Sequence, residues 1–228
     1  MDRPITTLFL LMSVDGKIST GATDDLDFDR DLPKIEYVRD GLQQYYDIEQ
    51  TTDIWSLNSG RVQAKIGVNE KTEKPEKLDV NYVLVDNSHL NSNGIRYFCE
   101  KAEKVVIVTS NRNHPAYQVT EYNNLHIIYR PSSDLHEALK ILKTDFGCEK
   151  ITVQTGGTIN GLFLRQKLID YVDVVVAPVL VGGSDVSTLI DGHSIMSVNE
   201  LWKLGTLQLE DCKTLNHSYI RLRYKVIG

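Results

Sequence analysis

Long apolar runs, basic blocks and cysteines are all scarce in this sequence. The apolar run over residues 5–12 is too short to span a membrane, and Asp15 and Lys17 follow it too early for a secretory signal peptide. The net charge is -6 and no Lys/Arg block is present, which argues against nucleic-acid binding because phosphate backbones are held mainly by basic side chains. We therefore expect a cytoplasmic protein without nucleic-acid or membrane partners.

The few cysteines exclude two further classes of protein. Cys99, Cys148 and Cys212 are odd in number and far apart, and no pair has the spacing of metal ligands. We expect buried or partly buried free thiols in a reducing compartment, with no disulfide framework and no metal site.

The chain has enough apolar residues to form a hydrophobic core. Its 228 residues are 41% hydrophobic, with no repeat or low-complexity tract, and we predict a single domain over residues 1–228. Short apolar runs without strict alternation predict strands covered on both faces. These runs are residues 7–12, 53–57, 82–85, 105–109, 125–129, 151–154 and 172–177.

Helical spacing appears between some of these runs. A helix is predicted after Asp134, which forms a capping-box pattern with Glu137, and Gly147 is the predicted stop. Two other helices are predicted, after Gly157 and over residues 33–46. At the end of the chain, apolar and basic residues alternate over 220–226, which predicts a half-exposed strand whose apolar face belongs to the core. With residues 206–209 this strand predicts an antiparallel hairpin. The predicted fold class is therefore α/β, with a mostly parallel central sheet flanked by helices and an antiparallel C-terminal edge hairpin.

The most informative segment is residues 151–163, ITVQTGGTINGLF, in which a strand ends in a Gly-Gly turn that leads directly into a helix. Glycines allow a ligand to approach the backbone, and the start of a helix offers free N–H groups and a positive dipole end. A dinucleotide pyrophosphate suits such a turn, and a side chain at Gly157 is expected to block it. A tight turn without a ligand explains the same residues. The G-x-G-x-x-G fingerprint is absent, so a standard Rossmann interpretation fails.

Three other strand ends carry polar or glycine-rich turns. Asp15 and Lys17 flank Gly16 after the first strand, Arg61 follows Gly60 after the second, and a second Gly-Gly lies at residues 182–183. Loops at the carboxyl ends of parallel strands line the ligand crevice of open α/β sheets. Taken alone, each of these turns is better explained as a polar surface turn.

The order of these segments is more specific than any one of them. The succession SVDGKIST, IWSLNSGRV, NYVLVDNSHL, KVVIVTS and ITVQTGGTINGLFLRQKLIDYVDVVVAPVLVGG resembles the dihydrofolate-reductase-like superfamily. Within it, the sequence is most similar to the reductase of riboflavin biosynthesis, without the deaminase domain often fused ahead of it. The resemblance covers residues 7–226 and is most specific over residues 155–183.

The resemblance implies an NADPH-dependent reductase that acts on 5-amino-6-(5-phosphoribosylamino)uracil or a related small molecule, and a homodimer. It assigns the cofactor pyrophosphate to the Gly-Gly turn, namely Thr155, Gly156, Gly157, Thr158 and Ile159. It assigns the 2′-phosphate region to Asn87 and Ser88, with Arg61 facing the cofactor phosphates. The implied catalytic residues at the substrate are Asp15, Lys17 and Gln154, with Lys17 holding or protonating the ribose part.

The substrate half departs from the family pattern. The usual Asp-Asp-Pro after the second strand reads Ala64-Lys65-Ile66 here, and the usual glutamate before the Gly-Gly turn is Gln154. Glutamine keeps the hydrogen-bonding shape but cannot act as a base. A reductase of another small heterocycle, such as a pterin, and a non-catalytic nucleotide-binding relative are therefore the alternatives.

Overall fold

The computed structural model describes residues 1–131 and 134–228. Two compact units are present, one made of Met1–Ile5 with Asp53–Thr155 and the other of Thr6–Thr52 with Gly156–Gly228. The assignment of a single domain to residues 1–228 stays a prediction.

The described residues form nine strands and six α-helices. The strands are β1 Ile5–Ser13, β2 Trp55–Ser59, β3 Leu78–Val85, β4 Ala102–Thr109, β5 Leu125–Tyr129, β6 Lys150–Gln154, β7 Tyr171–Ala177, β8 Leu207–Thr214 and β9 Ile220–Val226. The α-helices are α1 Phe28–Asp31, α2 Glu36–Glu49, α3 Gly60–Lys65, α4 Ser92–Lys101, α5 Leu135–Phe146 and α6 Gly157–Arg165. Short 3-10 helices lie at Leu32–Lys34, Val68–Glu70, Pro115–Gln118, Val198–Lys203 and Asn216–Ser218.

In the first unit the strand order is β5-β4-β3-β2-β6, and every pairing in this set is parallel. The central strands are covered on both faces, so Val83, Leu84, Val105 and Ile107 have no exposed surface. This burial explains why the sequence shows apolar runs rather than alternation. The prediction of parallel strands is confirmed, although β2 begins at Trp55 rather than at residue 53.

The helix predicted after Asp134 is confirmed as α5. The Asp134 carboxylate accepts hydrogen bonds from the backbone N–H groups of His136 and Glu137, at 3.0 and 3.5 Å. The helix ends where Gly147 adopts a left-handed backbone, with φ of 68°. Both ends are therefore fixed by the residues that the capping rules indicate.

In the second unit β1 pairs with β7 in parallel, and β7, β9 and β8 continue as antiparallel neighbours. The predicted helix over residues 33–46 occurs as the 3-10 turn Leu32–Lys34 followed by α2, because Ile35 is extended and breaks the helix between them. A cluster on this side buries Phe9, Leu42 and Tyr219, and the Tyr219 hydroxyl donates to the Val38 carbonyl at 2.8 Å.

The C-terminal hairpin of β8 and β9 is confirmed, but its expected burial is wrong. The apolar positions of β9, Ile220, Leu222, Tyr224 and Val226, were expected to belong to the core, yet none is buried and Ile220 is 39% exposed. The buried group on this side is instead Asp173 of β7, which accepts from Arg221 at 2.7 and 2.8 Å and from Arg223 at 3.0 Å. The backbone ladder pairs β7 with β9, and these ion pairs add a charged side-chain contact between the two strands.

Two further findings concern the expectations from composition. Among residues 1–131 and 134–228, no helix is long and apolar enough to cross a membrane. Cys99 and Cys148 are buried free thiols whose pKa is raised to about 12 by burial, whereas Cys212 is exposed, contrary to expectation.

Candidate active site

The carboxyl ends of β2, β3 and β4 meet at one edge of the first unit. The register pairs Ser59 with Val85, and Val85 with Val108. Arg61 follows β2 at the start of α3, and Asn87 and Ser88 follow β3. The three residues assigned to the cofactor phosphates are thus brought to the same sheet edge, as predicted for turns after parallel strands.

Asn87 joins the loop after β3 to the loop after β4. Its side-chain carbonyl accepts from the backbone N–H of Ser110 at 2.7 Å and from the hydroxyls of Ser110 and Thr109 at 3.0 and 3.1 Å. Its backbone carbonyl accepts from Asn111 at 2.8 Å. Ser88 is exposed beside it. Asn87 therefore shapes this edge through its carbonyl oxygens.

A buried carboxylate beneath this loop was missed by the sequence analysis. Asp86 is 3% exposed and accepts from the rings of His114 and His89, at 2.8 and 3.0 Å, and from the backbone N–H of Leu90 at 2.9 Å. Burial raises its pKa, but the hydrogen bonds outweigh burial and hold the pKa at about 2. The signal that could have found it is an aspartate placed directly after a buried strand and followed by His89.

Gly60 connects this carboxylate to the turn that bears Arg61. A Cβ at Gly60 would overlap the side chain of Asp86, so only glycine allows the start of α3 to lie against it. The Gly-Arg pair and the Asp86 loop are therefore packed together within the first unit.

Gln154 lies at the end of β6 in a chain of polar side chains. Gln63 donates to the carbonyl of Asn58 at 3.2 Å, Asn58 donates to the Ser56 hydroxyl at 2.8 Å, and this hydroxyl lies 3.0 Å from the Gln154 carbonyl oxygen. Because Ser56 already accepts from Asn58, its proton is directed to Gln154. The carbonyl of Gln154 thus has a fixed donor.

In the second unit, Asp15 and Lys17 hold the same loop. The Asp15 carboxylate accepts from the backbone N–H groups of Val181 and Gly182, at 3.1 and 2.6 Å. The Lys17 ammonium donates to the carbonyls of Gly183 and Val186, at 2.7 and 3.0 Å. Both side chains therefore hold the loop after β7, and their action at one site stays a prediction.

The pKa of Asp15 is lowered to about 2 by these contacts. The largest contribution is the hydrogen bond from the Ser13 hydroxyl, at 2.6 Å, and those from Gly182 and Val181 follow. All three stabilise the ionised carboxylate.

Gly156, Gly157, Thr158 and Ile159 form the start of α6, directly after Thr155. Gly156 is the extended N-cap and carries no side chain that could cap the helix. This geometry suits an anionic group, because the first-turn N–H groups and the helix dipole favour negative charge.

Position 157 was expected to be glycine so that a ligand can approach, but the structure shows a different requirement. A Cβ at Gly157 would overlap Asp191 and the carbonyl of Thr188, so a side chain there would meet the protein itself and not only a ligand. One turn later, a Cβ at Gly161 would overlap the backbone of Asp191. Between them the Asn160 amide donates to the Leu189 carbonyl at 2.8 Å. The spacing Gly157–Gly161 is what lets the loop over residues 188–191 lie on α6.

One pocket in the second unit does not contain the predicted residues. It is lined by Arg165, Ile169 and Trp202, among others. Within the described ranges, no group of three or more His, Cys, Asp or Glu residues could hold a metal ion.

The parallel strands with an antiparallel edge form the α/β fold that the chain shares with the RibD and Rib7 structures described below, which is the dihydrofolate-reductase-like fold. Residues 4–219 match the RibD C-terminal domain, and the chain belongs to this family. It is therefore an oxidoreductase, and its class implies a nicotinamide cofactor.

Named relatives agree with this assignment. The chain is 28% identical over 233 residues to the 2,5-diamino-6-ribosylamino-4(3H)-pyrimidinone 5′-phosphate reductase of Methanothermobacter thermautotrophicus, covering 99% of this chain and 100% of that protein. Acinetobacter baumannii RibD has a TM-score of 0.69 at 16% identity, and the match covers 100% of this chain but 59% of that longer one. The Saccharomyces cerevisiae riboflavin biosynthesis reductase Rib7 has a TM-score of 0.60 at 12% identity, with 100% and 91% covered.

Proposed function

We propose that the chain is an NADPH-dependent reductase of 2,5-diamino-6-ribosylamino-4(3H)-pyrimidinone 5′-phosphate. The observation that supports this most is the match over the whole length to a reductase of that name. This substrate differs from 5-amino-6-(5-phosphoribosylamino)uracil only in bearing an amino group where the uracil has an oxygen. Both have the ribosylamino carbon at which the reduction occurs.

The cofactor residues are proposed in two groups along the sequence. The first-turn N–H groups of α6 hold the pyrophosphate, since Gly156 leaves them without a capping side chain. Thr155 to Ile159 are the residues of this turn. Arg61, Asn87 and Ser88, at the edge of the first unit, hold the 2′-phosphate, which accounts for a preference for NADPH over NADH.

NADPH supplies the hydride, and the proposed task of the protein is to position the substrate and provide a proton. The C1′–H bond forms as the C1′–O4′ bond of the ribose breaks, and the ring oxygen takes a proton to become a hydroxyl. Lys17 is the proposed donor of this proton, because its ammonium has three N–H groups and two of them donate to Gly183 and Val186. Asp15 fixes the same loop through Val181 and Gly182.

Gln154 is proposed to bind the substrate through its amide. The Ser56 hydroxyl donates to its carbonyl oxygen, which fixes the plane of the amide, and an amide NH₂ group is a hydrogen-bond donor. A pyrimidinone or carboxamide oxygen is the matching acceptor. This role needs no base, in accord with a glutamine at this position.

The test of the proposed function is a titration followed by turnover. NADPH and NADH fluorescence give the two dissociation constants, and NADPH oxidation is then measured with the diaminopyrimidinone, the aminouracil and dihydropterin as substrates. Tighter binding of NADPH and faster oxidation with a ribosylaminopyrimidine would support the proposal. If NADPH is oxidised only in the presence of dihydropterin, a pterin would replace the ribosylaminopyrimidine as the proposed substrate.

A non-catalytic nucleotide-binding protein is the second candidate. It is favoured by the missing Asp-Asp-Pro, where Ala64, Lys65 and Ile66 stand instead. NADPH binding without oxidation by any of these substrates would support it over the reductase.

We also propose a cytoplasmic homodimer without nucleic-acid or membrane partners. The support is the apolar surface around β8, where Trp202, Leu207 and Leu209 are 63%, 45% and 52% exposed. Edge strands of this kind are usually paired or protected. Light scattering of the parent and of Leu209→Lys tests this, and a parent that is monomeric at micromolar concentration would contradict it.

A further inference from the structure

Asp191 lies where the loop over residues 183–191 meets the start of α6. Its backbone N–H donates to the carbonyl of Gly157, the first residue of that helix, at 2.9 Å. Three residues further along the helix, the buried amide of Asn160 donates to the Leu189 carbonyl at 2.8 Å. The backbone around Asp191 is therefore fastened to the first turn of α6.

The side chain of Asp191 brings a carboxylate to the same helix start. Its Oδ1 accepts from the backbone N–H of Thr188 at 3.1 Å, and the Thr188 hydroxyl lies 2.6 Å from the same oxygen. Its Oδ2 lies so close to Gly157 that a Cβ on this glycine would overlap it. In the part of the chain that the structure describes, Asp191 forms no ion pair. A negative charge without a cationic partner thus lies beside the first residue of α6.

Lys17 does not neutralise this charge, although its backbone pairs with Thr188 on the same loop. Its ammonium donates instead to the carbonyls of Gly183 and Val186, at 2.7 and 3.0 Å. The loop therefore carries a cation and an anion that are held apart by separate sets of hydrogen bonds.

The contacts of Asp191 with Thr188 do not require a charge. Only one of the two carboxylate oxygens takes part in them, so the side-chain carbonyl of an asparagine would serve equally well. What aspartate adds is a negative charge at the positive end of the α6 dipole, which is favourable for the helix alone. A second anion at the same helix end is repelled by this charge, and the repulsion is stronger at a half-buried side chain than in bulk water.

We propose that Asp191 lowers the affinity of the α6 turn for the cofactor pyrophosphate by charge repulsion. The inference rests on the proposed function and adds to it a residue that sets how tightly the cofactor is held. The reduced and the oxidised cofactor share the pyrophosphate, so Asp191 weakens the binding of both. Because differences in affinity at one site arise mostly in the rate of dissociation, Asp191 favours release of the oxidised cofactor after turnover.

The experiment measures dissociation constants of the parent and Asp191→Asn for NADPH by fluorescence and for NADP⁺ by displacement of NADPH. Adenosine 2′-monophosphate, which has no pyrophosphate, is a third ligand measured by displacement. We expect Asp191→Asn to bind NADPH and NADP⁺ about three- to tenfold more tightly, as for the loss of one partly screened repulsion. Its affinity for adenosine 2′-monophosphate should equal that of the parent. In about 0.5 M salt the gain should shrink, because screening then acts within a few ångströms.

Asp185→Asn is the matched control, because Asp185 is exposed on the same loop and its replacement changes the net charge by the same amount. It should leave all three dissociation constants unchanged. Asp191→Ala removes the contacts with Thr188 together with the charge. We expect it to tighten NADPH binding by a similar factor but to lower the thermal unfolding temperature, which Asp191→Asn should preserve.

Equal affinities of the parent and Asp191→Asn for NADPH would overturn the inference and leave the proposed function intact. Weaker binding by a stably folded Asp191→Asn would overturn it too, since Asp191 would then support the turn. An equal gain for adenosine 2′-monophosphate, or an equal gain in Asp185→Asn, would trace the effect to the charge of the whole protein rather than to the pyrophosphate turn. A parent that does not bind NADPH would overturn the proposed function as well.

Discussion

Two Gly-Gly pairs follow strands in this chain, and the structure uses them for different physical reasons. At residues 156–157 the backbone is ordinary, with φ of -76° at Gly156, and the second glycine is needed because a Cβ would overlap Asp191 and Thr188. At residues 182–183 both glycines are left-handed, with φ of 74° and 78°, and a Cβ at Gly182 would meet nothing within 4 Å. The first pair allows close packing, and the second allows a backbone conformation that other residues rarely adopt.

The comparison shows that a glycine motif does not by itself identify a ligand turn. The pair at residues 156–157 begins a helix and is the proposed pyrophosphate site, yet its strictest requirement comes from a neighbouring loop. The pair at residues 182–183 is exposed but is held by side chains from the first strand's turn, Asp15 and Lys17. Four experiments distinguish close packing, backbone conformation and catalysis as the roles of the two pairs.

The largest effect is expected from Lys17→Ala, which tests whether the loop with the second pair serves the chemistry. If Lys17 donates the proton, single-turnover NADPH oxidation should fall by roughly 10²–10⁴-fold while NADPH affinity changes little. The control is Lys213→Ala, which removes an exposed lysine from β8. An unchanged rate in Lys17→Ala would leave Lys17 with only its contacts to Gly183 and Val186.

Gly157→Val should cost about 3 kcal/mol in the free energy of unfolding, because an overpacked side chain must displace the loop over residues 188–191. Urea denaturation measures this cost, and Gly161→Ala, which meets the same loop, is the companion variant. If Gly157→Val is as stable as the parent but cannot bind NADPH, glycine is required at this position for ligand binding and not for packing against residues 188–191.

Gly182→Ala should cost less, about 1–2 kcal/mol, since the strain is that of one left-handed residue with no overlap. Gly182→Asn should recover part of this loss, because asparagine tolerates the left-handed region better. The same denaturation experiment checks both. A cost that equals or exceeds that of Gly157→Val would break the distinction drawn between the pairs.

The smallest effect concerns pH at the second pair. The pKa of Asp15 is lowered from 3.8 to about 2, so its stabilisation of the loop is present above pH 4 and is lost as the pH falls through 2. We expect the amide proton of Gly182, which donates to Asp15, to titrate with a midpoint of about 2 by NMR. In Asp15→Asn this titration should disappear, and a midpoint near 4 in the parent would show that the contact is weak in solution.

Local patterns predicted the parts of the fold that depend on nearby residues. The buried strands were found because apolar runs mark them, and α5 was found because Asp134 and Gly147 carry their signals next to the helix. Helix α4 was missed: it begins Ser92-Asn93-Gly94, which are poor helix formers, although Asn91 caps it by accepting from Gly94 at 2.9 Å.

At the candidate site, too, only features set by neighbouring residues in the sequence were predicted. The turns were located because each directly follows a strand. The contact of Asp86 with His114 was not predicted, because the two residues lie 28 positions apart and the pairing of β3 with β4 brings them together. The exposure of β9 was missed because alternation indicates one apolar face but not whether anything covers it.

The way the chain divides between its two units has a consequence for synthesis. The first unit is complete once residue 155 has been made, because Met1–Ile5 and Asp53–Thr155 contain all of it. The second unit needs both Thr6–Thr52 and Gly156–Gly228, so its early segment must wait for the last part of the chain. Emerging from the ribosome, the chain can thus form the edge that bears Arg61 and His89 while Asp15 and Lys17, though made earlier, still lack the loop that they will hold.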